Sequence, residues 1–303
     1  VILVAEELDP RGLELLREGG HAYRYEPNLW RDPESLRKML AEATALIVRN
    51  RIRVDGALLE GAPRLRVVGR LGTGLDNVDQ EALRARNVVL VYAPGANALG
   101  VAEYVLAALF HLARNLPRAA QGGDRLALGG FELAGKTLGL VGLGEVGLRV
   151  AQRARALGMR VVGYDPLRKP WEAALEGAGV ELLPLEAVFS EAHFLSLHAP
   201  PTPETRGLVN RRTLARMRPG AYLINTARGE LVDHGALYEA LREGHLAGAV
   251  LDVTHPEPLP EDHPLRGLET CLITPHIAGL TREAQARVGE RVVQGVLEVL
   301  RAA

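Results

Sequence analysis

Ten short apolar runs, each ending in turn-forming residues, punctuate the 303-residue chain: "VILVA", "ALIVRN", "LRVVGRLG", "VVLVYAP", then "TLGLVGLG", "RVVGYD", "HFLSLHAP", "AYLINTA", "AGAVLDV" and "CLITPH". Longer stretches with helical periodicity separate them. Strands joined through helices pair in parallel, because only a crossover connection returns the chain to the same end of a sheet. Parallel strands are covered on both faces and therefore read as near-continuous apolar runs. The chain is thus expected to be α/β, with the first four runs and the last six forming two separate sheets. "GANALGVAEYVLAALFHLARNLPRAA" between them reads as a long connecting helix, with Asn97 as its cap and Pro117 as its stop. A chain of this length is also too long for one small core. The carboxyl-terminal "REAQARVGERVVQGVLEVLRAA" spaces Val288, Val292, Val296 and Leu300 four apart, so a last amphipathic helix must pack on something.

Bulk properties exclude several partners. Lys plus Arg number 36 against 37 acidic residues, for a net charge of -1, which gives no field for steering to nucleic acid. No apolar run reaches the roughly 18 residues of a membrane span, since "VAEYVLAALFHLA" carries Glu103 and breaks off at Arg114. The opening "VILVAEELDPRG" lacks a basic n-region and reads as a strand, not a signal peptide. The single cysteine, Cys271, rules out an internal disulfide and fits a small core residue in a reducing cytoplasm. Only Lys38, Lys136 and Lys169 are lysines, a bias that carries no functional message.

The most specific local signal lies in "KTLGLVGLGEVGLRVAQRARALGMRVVGYDP". Gly142, Gly144 and Gly147 form G-x-G-x-x-G between a strand and a helical pattern, and Asp165 ends the next strand. In a βαβ unit the first glycine permits a tight turn, the second lets a pyrophosphate approach the backbone, and the third lets helix and strand pack closely. The helix start offers free N–H groups to the phosphates. A carboxylate at Asp165 suits the hydroxyls of an adenine ribose and repels a 2'-phosphate, favouring NAD over NADP, although Arg168 stands three residues on.

Hydride exchange between a 2-hydroxy acid and a nicotinamide needs a group that carries the hydroxyl proton and a cation that orients the carboxylate. His276, in "LITPHIAGLT", suits the first role, and Arg228, in "LINTARGELVD", suits the second. Both follow strand carboxyl ends, where ligands bind in open α/β sheets. Glu257, in "LDVTHPEPLP", is the candidate partner that would favour a protonated imidazole. His198, His234, His255 and His263 read as structural, and no spacing typical of metal ligands occurs, so no metal is expected.

At this point the sequence resembles the D-isomer-specific 2-hydroxyacid dehydrogenases along nearly its whole length. The resemblance rests on "GRLGTGLDNVD" (69–79), "GANALGVAEYVLA" (95–107), "GKTLGLVGLGEVG" (135–147), "LHAPPTPETRGLVN" (197–210), "INTARGELVD" (224–233), "LDVTHPEP" (251–258) and "TPHIAG" (274–279). It implies two doubly wound parallel-sheet domains, a Rossmann cofactor domain (94–279) inserted into a flavodoxin-like substrate domain (1–93 plus 280–303). It also implies catalysis in a cleft between them and a homodimer formed through the cofactor domain.

Carried over position by position, the resemblance makes His276 the acid/base, Glu257 its partner and Arg228 the holder of the substrate carboxylate. NAD contacts are expected at Thr73, Gly142, Gly144, Glu145, Val146, Gly147, Asp165, Ala199, Pro200, Thr226, Ala227, Asp252, Ala278 and Gly279. Gly72, Thr73 and Gly74 match a backbone nest for the substrate carboxylate. Arg49 and Arg70 fall where phosphoglycerate members carry arginines, which implies a second anionic group on the substrate, as in 3-phosphoglycerate or sulfolactate. A glyoxylate/hydroxypyruvate reductase is the alternative, and a cofactor-sensing interaction protein of the corepressor type a more distant one. Two departures concern packing: Gly123 stands near the place of a frequent tryptophan, and "THPEP" replaces a more aromatic and acidic version. Formate dehydrogenases carry glutamine at the position of Glu257, which disfavours formate. The regulatory extension of many phosphoglycerate dehydrogenases has no counterpart in these residues, so serine feedback is not expected.

Overall fold

The computed structural model describes residues 1–302, which form two compact units: 1–97 with 280–302, and Ala98–Gly279. The first holds five parallel strands, β1 (Ile2–Val4), β2 (Tyr23–Tyr25), β3 (Ala45–Val48), β4 (Val67–Arg70) and β5 (Val89–Tyr92). Their order is β2-β1-β3-β4-β5, a doubly wound flavodoxin-like arrangement. Apolar side chains pack on both faces.

The helix Arg282–Arg301 covers one of those faces with Val288, Val292, Val296 and Leu300, all buried. It lies so close over β4 that a Cβ at Gly69 would come 2.8 Å from a Val292 methyl and 2.9 Å from one of Val296. The twenty residues of this helix therefore complete a core begun by the amino-terminal strands.

The second unit holds β6 (Thr137–Val141), β7 (Arg160–Tyr164), β8 (Glu181–Leu182), β9 (Phe194–Leu197), β10 (Ala221–Asn225), β11 (Leu246–Leu251) and β12 (Cys271–Ile273). All pair in parallel, in the order β12-β11-β10-β9-β6-β7-β8. This is the doubly wound dinucleotide-binding order with one added edge strand, and its topology reverses between β6 and β9. The ligand crevice of such a sheet lies beyond the strand carboxyl ends at that reversal. Cys271 is buried and unpaired, and burial pushes its thiol up to about 12.

The unit opens with the helix Ala98–Arg114, and here the expected stop at Pro117 is corrected. The helix ends at Asn115, whose backbone is left-handed (φ 36°), a conformation that terminates helices and that Asn tolerates. Pro117 instead sits in the first turn of a short helix, Leu116–Ala119, where its missing N–H costs nothing. No helix among the described residues is long and apolar enough to cross a membrane.

Candidate active site

Beyond β6 the chain turns sharply at Gly142 (φ 95°), where a Cβ would lie 2.6 Å from the carbonyl carbon and oxygen of His198. A Cβ at Gly147 would sit 2.3 Å from the Gly142 carbonyl oxygen, so a side chain there would push the helix Glu145–Ala156 off the turn. Gly144 differs: nothing lies within 4 Å of its Cβ position, and it caps that helix without a side-chain hydrogen bond. Two glycines are thus needed for packing and the middle one keeps the approach to the first-turn N–H groups open. His198 backs the turn with Nε2 2.9 Å from Ser196 Oγ, and burial pushes its imidazole down to about 4, so it is neutral.

Asp165, just past β7, is locked by the turn itself. Its Oδ2 accepts from the Leu143 N–H at 2.8 Å and its Oδ1 from the Leu167 N–H at 2.9 Å, leaving further lone pairs for ribose hydroxyls. Arg168 donates to the Leu143 carbonyl at 3.1 Å and pairs with Glu172 at 2.7 Å, so its charge is already engaged. At the end of β10 the Thr226 hydroxyl is buried without a hydrogen-bond partner, an atom that a polar group of a cofactor would satisfy. The glycine cradle, the oriented Asp165 and this orphan hydroxyl together fit NAD. The other positions expected at the cofactor in this unit lie beyond strand carboxyl ends: Glu145 and Val146 after β6, Ala199 and Pro200 after β9, Ala227 after β10, Asp252 after β11, Ala278 and Gly279 after β12.

The side chains expected to carry the chemistry follow three neighbouring strands, β10, β11 and β12. Asn225, fully buried at the end of β10, accepts from the Ala227 N–H at 3.0 Å and donates to the Arg228 carbonyl at 2.9 Å, which folds the turn that presents Arg228. The Arg228 guanidinium also donates to the Ala227 carbonyl at 2.7 Å. Gly229 packs directly on the segment after β11, since a Cβ there would be 2.0 Å from the Thr254 carbonyl carbon. That contact seats the Arg228 turn against the loop carrying Glu257, in which the His255–Pro256 and Glu257–Pro258 peptides are cis.

His276 follows β12 in a left-handed conformation (φ 56°), uncommon for a residue with a side chain. Asp252 holds this turn: its carbonyl accepts from the His276 N–H, and its buried carboxylate accepts from the N–H groups of Ile277 and Ala278, all at 2.8 Å. The carboxylate expected at the nicotinamide is thus also the clamp of the His276 turn. His276 Nδ1 lies 2.7 Å from Glu257 Oε1. An ionised carboxylate only accepts, so Nδ1 carries the proton of this bond and Nε2 is the nitrogen that exchanges one.

The electrostatics follow from these contacts. The hydrogen bond to Glu257 raises His276 above its ordinary value, against the opposing effect of burial, with the charges of Glu257 and Asp252 adding to the rise and Arg228 opposing it. Burial pushes Glu257 up, but the hydrogen bond and charge of His276, the Thr254 N–H and the Arg228 charge outweigh it and hold it low. Arg228 therefore acts on both members of the pair. By linkage the pair favours the fold between the ordinary values of 4.5 and 6.5. Its contribution fades as pH falls through the lowered carboxylate value or rises through the raised imidazole value.

In the first unit, Arg70 ends β4 and Arg49 follows β3, and the two strands pair with Val48 opposite Arg70. Asn77 links them: it donates to the Arg49 carbonyl at 3.0 Å and to that of Ile52 at 2.7 Å, and accepts from Arg70 Nε at 3.4 Å. Arg49 also bonds Gln285, and the Arg70 guanidinium lies against Gly72, where a Cβ would be 1.8 Å from one of its nitrogens. Gly72, Thr73 and Gly74 form the loop directly beyond β4. Among the described residues no group of three or more His, Cys, Asp or Glu is placed to hold a metal.

A sequence model of the D-isomer specific 2-hydroxyacid dehydrogenase NAD binding domain matches residues 104–278. The chain belongs to the D-isomer-specific 2-hydroxyacid dehydrogenase family. It is 40% identical to a D-3-phosphoglycerate dehydrogenase of Rattus norvegicus over 305 residues, covering 99% of this chain and 56% of the rat protein, so it spans little more than half the length of that relative. The crystal structure of the TT0316 protein from Thermus thermophilus superposes with a TM-score of 0.91 at 40% identity, covering 99% of this chain and 97% of that one. A D-lactate dehydrogenase from Aquifex aeolicus, complexed with NAD and lactic acid, gives a TM-score of 0.83 at 27% identity, covering 99% and 94%.

In this member of the family, the residues that place the expected ones are inconspicuous in the sequence. Asn225 and Asn77 are ordinary asparagines in sequence. The one visible signal is at Asn225, a polar residue ending the apolar run "LIN"; Asn77, within "GLDNVD", shows none.

Proposed function

We propose that this chain is an NAD-dependent oxidoreductase that interconverts a small 2-hydroxy acid with its 2-oxo acid. The observation that carries this reading is the 2.7 Å His276–Glu257 pair under the influence of the Arg228 charge. The coenzyme, which the glycine turn, Asp165 and Thr226 would hold, would supply hydride in its reduced form and accept it in its oxidised form. In reduction His276 Nε2 gives its proton to the carbonyl oxygen as that oxygen gains negative charge; in oxidation neutral Nε2 takes the hydroxyl proton. Arg228 holds the carboxylate by two parallel hydrogen bonds and polarises the carbonyl. In the first unit, taken as the substrate domain, the Gly72–Gly74 backbone contributes an anion nest and Thr73 a cofactor contact. The likeness to a D-lactate dehydrogenase complexed with NAD and lactic acid supports both cofactor and substrate class.

Oxidation of NADH against phosphohydroxypyruvate, sulfopyruvate, hydroxypyruvate, glyoxylate and pyruvate tests the reading. Absence of turnover with every acid while NADH still binds would overturn it.

Arg49 and Arg70, brought to adjacent strand ends, favour a substrate with a second anionic group such as phosphate or sulfonate. The phosphoglycerate relative supports the same choice. Replacing Arg70 with Met should lower kcat/KM for phosphohydroxypyruvate by about ten- to a hundredfold, the range for losing a charge-assisted contact, while glyoxylate is spared. Equal losses on both acids would refute the second-anion role and leave a glyoxylate/hydroxypyruvate reductase.

Glu257→Gln supplies a pH test. The substitution removes the charge by which Glu257 raises His276 and leaves at most a neutral, weaker hydrogen bond. The pH above which reduction declines should therefore move down, and oxidation, which needs neutral His276, should begin at lower pH. An alkaline limb for reduction that stays in place would separate Glu257 from the proton step.

The NAD-binding unit is also proposed as the homodimer contact, supported by the exposure of Phe110 and Leu116 along its first helices. A monomer in sedimentation equilibrium would exclude this. Neither nucleic acid nor membrane is invoked as a partner, and an unpaired, buried cysteine accords with a cytoplasmic location.

A further inference from the structure

One hydrogen-bonded chain in the second unit lies outside the roles described so far. Tyr104, half-buried in the opening helix Ala98–Arg114, has its hydroxyl 2.5 Å from Thr274 Oγ1, 170 positions away in sequence. Thr274 Oγ1 in turn donates to Asp252 Oδ1 at 2.7 Å. Each hydroxyl carries a single proton, and that of Thr274 is committed to the carboxylate. The phenol of Tyr104 must therefore be the donor to Thr274. Burial raises the phenol above its ordinary value, which keeps that proton in place.

The far end of this chain is the clamp of the His276 turn. Asp252 accepts at once from Thr274, Ile277 and Ala278, so rotation of its carboxylate would release both amides that follow His276. The turn needs such a hold because His276 sits at φ 56°, and its side chain is half-exposed with Glu257 as its hydrogen-bond partner. A hydroxyl whose own direction is fixed by a second donor cannot turn away from the carboxylate without breaking two bonds.

We propose that Tyr104 is a positioning residue for the proton carrier, holding His276 in register through Thr274 and Asp252. The helix that opens the unit thereby anchors the turn that closes it. The inference rests on the dehydrogenase reading for its effect on turnover, but the anchoring itself is a property of the turn.

Four variants test it: Tyr104→Phe, Thr274→Val, the double replacement, and Thr274→Ser. Tyr104→Phe should lower kcat about five- to tenfold, the range for one lost hydrogen bond, with KM for the 2-oxo acid and the NADH dissociation constant within about twofold of the parent. The solvent deuterium isotope effect on kcat should rise, because a displaced imidazole makes proton transfer the slower step. Amide exchange at Ile277 and Ala278 should quicken whether or not substrate is present. Thr274→Val should cost more, and the double variant no more than Thr274→Val, since Tyr104 acts only through that hydroxyl. Thr274→Ser, which keeps the hydroxyl, should stay near the parent. A Tyr104→Phe enzyme with parental kcat, isotope effect and amide exchange would overturn the proposal, as would fully additive losses in the double variant. If Thr274→Val does not fold, Tyr104→Phe decides alone. A parent that turns over no 2-oxo acid would overturn the dehydrogenase reading instead, and the exchange of the two amides would still decide whether Tyr104 holds the turn.

Discussion

Replacing His276 with Asn is expected to lower kcat about a thousandfold, within the roughly 10²–10⁴ that general acid–base catalysis contributes. Asn is the informative replacement because it tolerates the left-handed backbone found at this position, and its amide can still donate to Glu257. The turn and its partner should therefore survive while the exchangeable Nε2 proton is lost. NADH binding, followed by fluorescence, should stay within about threefold, because the glycine turn and Asp165 are untouched. The residual rate should also lose the pH dependence that a titrating imidazole imposes. Retention of even a tenth of the parental kcat would move the proton step to another group.

Replacing Arg228 with Ala should reduce kcat/KM by about a thousandfold, since a hydrogen-bonded ion pair to a desolvated carboxylate is commonly worth about 2–5 kcal/mol on truncation. Both constants should suffer: KM rises because the carboxylate loses its anchor, and kcat falls because the carbonyl is no longer polarised in the transition state. Arg228→Lys should recover only part of the loss, because an ammonium cannot reproduce the fork of two parallel donors. The loss also reaches the neighbouring pair, whose balance Arg228 helps to set: without its charge Glu257 is less strongly held low and His276 is raised further. Unaltered kinetics in Arg228→Ala would refute the assignment.

Much of this was legible in the chain because the chemistry of parallel sheets is local in sequence. The ten apolar runs coincide with ten of the twelve strands among the described residues. The two that escaped, β2 and β8, each lie at one edge of a sheet, are three and two residues long, and neither is buried on both sides. An edge strand pairs on one side only and needs no continuous apolar run, so Tyr23–Tyr25 and Glu181–Leu182 look like loop. The glycine fingerprint was visible for the same reason of locality, whereas the grip of Asp252 on the His276 turn joins residues from separate strands and depends on the register of β11 with β12. Tyr104 was the least legible of all, as one aromatic residue in an apolar helix whose partner lies 170 residues away. Pro117 misled because proline marks both the ends and the beginnings of helices, and only the backbone of Asn115 settles which.

The seating of Arg228, Glu257 and His276 beyond β10, β11 and β12 has a thermal consequence. These strands form one margin of the seven-stranded sheet, and the outermost, which delivers His276, is only three residues long. Margins open at lower free energy than sheet centres, through local excursions that leave the rest of the structure intact. The glycine turn, by contrast, follows β6, which is paired on both sides. On warming, the turn that carries His276 should therefore loosen first, so turnover should fall while the glycine turn and Asp165, seated on β6 and β7, still stand.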